Sequence, residues 1–138
     1  MKTVKLIFIS HCAEDSRLAN WLSKKLRKDG FNAWVYNENI NPGDNFVDSI
    51  NTALGICTTF LLIWSNDANK SDWVKKEWTS ILAMNKDIIP LLRDKTQLPP
   101  ILQGLEYIEF KTKEDGYKTL VNFLSAHTSE FNRIMVNY

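Results

Sequence analysis

Apolar residues in this chain collect into short unbroken runs, separated by stretches in which they recur every three or four positions. Leu6 to Ser10 is continuous and rich in β-branched and aromatic residues. Such a run predicts a strand buried on both faces of a parallel sheet. Asp15 to Asp29 instead spaces Leu18, Trp21, Leu22 and Leu26 as one helical face. It ends on Lys24, Lys25, Arg27 and Lys28 and stops at Gly30, a basic last turn that suits the carbonyl end of a helix. Phe31 to Tyr36 predicts the second strand. The segment Asn37 to Gly43 follows as a loop whose Pro42-Gly43 pair marks a turn.

Asp44 or Asn45 can cap the next helix, whose Phe46, Ile50, Ala53 and Leu54 share a face. Thr58 to Ser65 predicts the third buried strand and Asn66 to Ser71 a loop. Ser71 to Asn85 is helical by pattern, capped by Ser71 or Asp72, with Val74, Trp78, Ile81 and Leu82 as the inward stripe. Asp87 to Leu92 gives strand four, Thr96 to Pro100 a loop and Tyr107 to Phe110 a short edge strand. Lys113 to Ala126 closes the domain as an amphipathic helix through Tyr117, Leu120, Val121 and Leu124. Residues 127–138 carry no clear period and read as a tail or a linker to a further domain, which leaves residues 1–126 as one domain. Alternation at this spacing predicts an α/β fold with a parallel sheet covered on both faces. In such sheets ligands bind beyond the carboxyl ends of the strands where the strand order reverses, so the loops after strands one and three draw attention.

The bulk numbers agree with one core: 138 residues, 44% hydrophobic and 24% charged. A net charge of +1 gives no electrostatic argument for nucleic acid or an anionic membrane, so a ligand must be recognised locally. Cys12 and Cys57 are too few for a disulfide framework and lack the spacing of a metal motif, which points to a reducing, cytosolic compartment and no metal. The apolar start is too short for a signal sequence or a membrane span.

Four pieces, in order, now resemble the TIR (Toll/interleukin-1 receptor) family: Phe8-Ile9-Ser10-His11 with Glu14-Asp15; Trp34-Val35 followed by Ile40-Asn41-Pro42-Gly43-Asp44; Phe60-Leu61-Leu62-Ile63-Trp64-Ser65; and Asp72-Trp73-Val74-Lys75-Lys76-Glu77. Ile88-Ile89-Pro90-Leu91-Leu92 and Leu98-Pro99-Pro100-Ile101-Leu102 add to the likeness over residues 4–126. The resemblance implies a flavodoxin-like open sheet of five parallel strands in the order 2-1-3-4-5, with its switch point between strands one and three. It also implies two functional classes, scaffolds that only assemble with other TIR domains and enzymes that cleave NAD⁺. The enzymatic class has a glutamate four residues after a tryptophan at the start of the third main helix, here Glu77 after Trp73. By the same resemblance Phe46 meets the nicotinamide end of NAD⁺. Ser10 and His11 lie where substrate binds, and the loop Asn41, Pro42, Gly43 and Asp44 takes part in assembly.

That chemistry fits a single carboxylate. The nicotinamide of NAD⁺ is already a cation and leaves as a neutral base, so no general acid is needed, unlike the paired carboxylates of ordinary glycosidases. Glu77 would stabilise the developing oxocarbenium ion and hold the ribose hydroxyls. A spacing of four places Trp73 and Glu77 on one helical face, and the start of the first helix offers N–H groups to a pyrophosphate. The plainer readings are a solvated ion-pairing glutamate, a packing tryptophan, a Phe46 turned partly to the core beside Ile50, and a Ser10 that caps a turn. His11 and Cys12 make a poor nucleophilic dyad, because neighbours on an extended chain point apart. Cys57 reads as packing. No cation directly follows the first strand, Arg17 being the nearest in sequence.

The expectation is therefore an NAD⁺ glycohydrolase giving nicotinamide and ADP-ribose or a cyclic isomer. It would be activated when TIR domains assemble in cytoplasmic immune or antiphage defence signalling, with NAD⁺ as substrate and no cofactor. The alternative is a non-catalytic TIR scaffold. A phospho-receiver would need an aspartate at the end of strand three, where Ile63-Trp64-Ser65 stands, and a dehydrogenase a G-x-G-x-x-G after strand one.

Overall fold

A computed structural model describes residues 6–36 and 45–136, with side chains through residue 126. In chain order it contains β1 (Leu6–Ser10), α1 (Ser16–Lys28), β2 (Asn32–Val35), α2 (Phe46–Ile56), β3 (Cys57–Trp64), α3 (Asn66–Asn69), α4 (Asp72–Ala83), β4 (Asp87–Leu92), β5 (Ile108–Glu109) and α5 (Lys113–Val136). The strands form one sheet in the order β2-β1-β3-β4-β5, and every pairing is parallel. This is the flavodoxin-like architecture that the family resemblance implies. Phe8 of β1 lies level with Trp34 of β2 and Phe60 of β3, and its ring stacks on both, at 4.9 and 5.3 Å between centroids. The alternation of side chains along β1 explains the two cores. Ile7 and Ile9 pack with Leu22 and Leu120 under α1 and α5. Phe8 packs with Ile50, Val74 and Trp78 under α2 and α4.

Several boundaries differ from the periodic reading, each for a local reason. Asn66 to Ser71, expected as a loop, begins with α3, because the Ser65 hydroxyl accepts from Ala68 N at 3.1 Å and caps a helix too short to show a period. A 3-10 turn, Ala13–Asp15, precedes α1, and β3 starts one residue early at Cys57. The closing helix, expected to stop at Ala126, runs on through Val136, so the segment read as a tail is helical for most of its length. The cap of α2 is Asn45, whose side chain accepts from Val47 N and Asp48 N at 3.0 and 3.2 Å. Asp44 and the loop residues Asn41, Pro42 and Gly43 lie outside the described residues.

Gly116 shows how α5 is seated. A Cβ there would stand 2.5 Å from the Phe110 ring, itself 4% exposed, so the helix sits closer to the ring than any side chain allows. Gly116→Ala is expected to cost about 1–3 kcal/mol of overpacking, outweighing the roughly 1 kcal/mol that alanine gains in helix propensity. Urea denaturation should show a lower midpoint at an unchanged slope.

Candidate active site

The fold places Glu77 by dragging it with its neighbours. Ser71 caps α4 through a bond from Val74 N at 3.2 Å, and Val74, Trp78 and Ile81 bury the helix against the sheet. Glu77 lies one turn from Val74 and beside Trp78, so the stripe carries its carboxylate inward to 5% exposure. There both oxygens are held. Ser10 Oγ, at the carboxyl end of β1, donates to Oε1 at 2.7 Å, and Trp73 Nε1 donates to Oε2 at 3.0 Å. Burial pushes the carboxyl up to about 7, against the opposing pull of these two hydrogen bonds. A buried acid that titrates near neutrality is unusual for a structural group and frequent at reactive ones.

An aromatic wall stands beside it. The Phe46 ring lies 5.8 Å from that of Trp73 and 5.9 Å from that of Tyr36. Phe46 is 43% exposed where Ile50, one turn on, is 2% exposed. It thus faces outward at the helix start instead of sharing the core. Ser10, expected at the substrate or in a turn, binds the carboxylate directly. His11 is 8% exposed. Burial lowers its pKa against the raising influence of Asp15, and Nδ1 has no hydrogen-bond partner among the described residues. The Cys12 thiol, pushed up to about 12 by burial and by Asp15, is no nucleophile.

Three residues that the sequence reading gave no role gather beside this site. Asp15 is 3% exposed, and its carboxylate accepts from Ser65 Oγ at 2.6 Å, Cys12 Sγ at 3.1 Å and Arg93 Nη1 at 2.8 Å. Arg17 is nearer in sequence, yet the cation that meets the loop after β1 is Arg93, from beyond β4. The available signal was positional: Asp15, Ser65 and Arg93 each follow the carboxyl end of a strand. Among the described residues no group of three or more His, Cys, Asp or Glu converges as a metal site, and no helix is long and apolar enough to cross a membrane.

A family model described as the TIR domain matches residues 7–121. The chain belongs to the TIR domain family. The fold recurs in solved structures. The TIR domain of a Toll-related receptor from Hydra magnipapillata superposes with a TM-score of 0.73 at 22% identity, over 87% of this chain and 95% of that one. A Clostridium botulinum CMP N-glycosidase superposes with a TM-score of 0.67 at 21% identity, over 86% and 99%. At such identities the likeness is one of fold alone. A Brachypodium distachyon protein named as a probable 2′ cyclic ADP-D-ribose synthase is 28% identical over 90 residues, which make up 64% of this TIR chain. The match spans 40% of that relative's length.

Proposed function

We propose that this TIR domain cleaves the nicotinamide–ribosyl bond of NAD⁺, with Glu77 as the carboxylate that stabilises the transition state. The observation that carries the reading is the buried Glu77 side chain, held by Ser10 Oγ and Trp73 Nε1 at the carboxyl end of β1. Two donors fix its direction and leave lone pairs for ribose hydroxyls, since a carboxylate accepts about four hydrogen bonds. In this low-dielectric setting its charge acts strongly on a cationic sugar.

The donor set also bears on substrate class. Among the described residues Glu77 hydrogen-bonds to a hydroxyl and an indole, and the neighbouring carboxylate of Asp15 is taken up by three donors. Among the described residues these are the two carboxylates held at the site, and a Glu77 that acts as an anion has no proton to give a departing base. A substrate whose base leaves neutral without a proton meets that condition, and nicotinamide does. The C1′–N bond breaks with its electron pair going to the pyridine nitrogen. Water or an internal hydroxyl then adds to C1′ and loses a proton, giving ADP-ribose or a cyclic isomer. The name of the Brachypodium relative supports a nucleotide of this kind.

In this reading Trp73 and Phe46 form the wall for the ribose and nicotinamide, and His11 contacts substrate beside Ser10. Turnover requires assembly with other TIR domains through Asn41, Pro42, Gly43 and Asp44, in cytoplasmic immune or antiphage signalling. The test is to incubate concentrated or crowded chain with NAD⁺ beside a Glu77→Ala control and to separate the products chromatographically. Nicotinamide is expected only with the native glutamate. Release equal in both overturns the role of Glu77, and release in neither once assembly is demonstrated leaves a scaffold.

A further inference from the structure

The loops after β1, β3 and β4 meet at one buried carboxylate, and two paths lead from it to the Ser10–Glu77 bond. Along the first, Asp15 accepts from Cys12 Sγ, and Cys12 stands two residues beyond Ser10. Along the second, Asp15 accepts from Ser65 Oγ. That same oxygen caps α3 through Ala68 N. Ser71 N then donates to Ala68 O at 3.0 Å, and Ser71 caps the helix that bears Glu77. The two halves of the Ser10–Glu77 bond are therefore tied to the same anchor. Arg93 fixes that anchor from the third loop, donating Nη1 to Asp15 at 2.8 Å and backbone N to Trp64 O at 2.9 Å. The next residue, Asp94, accepts from Asn66 N at 2.9 Å, which sews the β4 loop onto α3.

We propose that Asp15 and Arg93 are positioning residues for the candidate catalytic carboxylate: their ion pair sets where Ser10 Oγ stands against Glu77. A cluster serving stability alone would have no reason to join both arms of that bond. A guanidinium serving as a phosphate contact would not need its Nη1 committed to Asp15. The inference rests on the NAD⁺-cleaving reading for its kinetic readout and on geometry alone for its spectroscopic one.

The experiment uses the full chain with ¹⁵N-labelled tryptophan, the Trp73 indole resonance being assigned by Trp73→Phe. Ser10→Ala should move that resonance, because Trp73 Nε1 shares the carboxylate with the lost donor. Arg93→Gln should move it in the same direction, and Arg93→Lys, which keeps the charge but not the planar fork on Asp15, should leave part of that shift in place. In NAD⁺ cleavage Arg93→Gln should lower kcat about tenfold with KM unchanged, and should add little in a Ser10→Ala background, as expected for residues acting through one bond. An unmoved Trp73 resonance in a folded Arg93→Gln chain overturns the proposal, as do kcat losses that multiply in the double variant or a rise in KM alone. If native chain releases no nicotinamide, the functional reading fails while the resonance still decides the positioning. If Arg93→Gln does not fold, Arg93→Lys is read instead. It should move the resonance part of the way that Ser10→Ala does, and no movement overturns the proposal.

Discussion

Glu77→Gln is expected to cut nicotinamide release about 10²–10³-fold, the usual cost of removing one preorganised electrostatic group, while making the folded chain more stable above neutral pH. The two effects share one cause. Burial raises the Glu77 pKa from 4.5 to about 7, so between those values the folded state holds a proton that the unfolded chain has lost. Stability then falls as pH rises through that window. The shift converts to at most ~3 kcal/mol, fully lost above the folded pKa. Glutamine carries no charge and keeps the shape. Its carbonyl accepts from Trp73 Nε1, and its amide donates to Ser10 Oγ, which accepts as readily as it donates. Against the native chain, the variant should therefore gain melting temperature at pH 8 relative to pH 4.5. A loss of activity accompanied by loss of stability at both pH values would make Glu77 a structural residue.

How much of this was legible in the sequence depends on whether a feature is local. Phe60 to Trp64 reads as a buried strand because five apolar residues in a row admit few other placements, and Val74, Trp78 and Ile81 read as a stripe for the same reason. The sheet order came from resemblance and is met by the pairings of β1 with both β2 and β3. Glu77 was legible only through that resemblance. Between Lys76 and Trp78 its local pattern is that of a solvated ion-pairing residue, and only the packing of the stripe shows that it is turned inward. The distant partners of Asp15 were legible only as residues that follow strand ends, not as a set. Ser65 and Arg93 lie 50 and 78 residues away, and no period or motif links positions joined solely by the convergence of strand ends. Likewise α3 escaped because one capped turn has no room for a repeat.

If Glu77 must be ionised to act, the pH profile of NAD⁺ cleavage is fixed in direction and size. The kcat/KM of the assembled chain should rise with pH and level off above about 7, the value to which burial pushes the carboxyl. From pH 5 to pH 8 the ionised fraction grows about 100-fold for a group titrating there. The midpoint for kcat should lie lower than that for kcat/KM, because a bound nicotinamide cation favours the charged carboxylate. Ser10→Ala should move the kcat/KM midpoint upward, since the lost hydrogen bond is one that favours the ionised form. Initial rates of nicotinamide release across this range, on chain shown to stay folded and assembled throughout, test all three. A profile flat between pH 5 and 8 would mean that the group that ionises in the rate-limiting step is not the buried glutamate. A midpoint lowered by Ser10→Ala would mean that the Ser10 hydroxyl serves the substrate in preference to the carboxylate it touches.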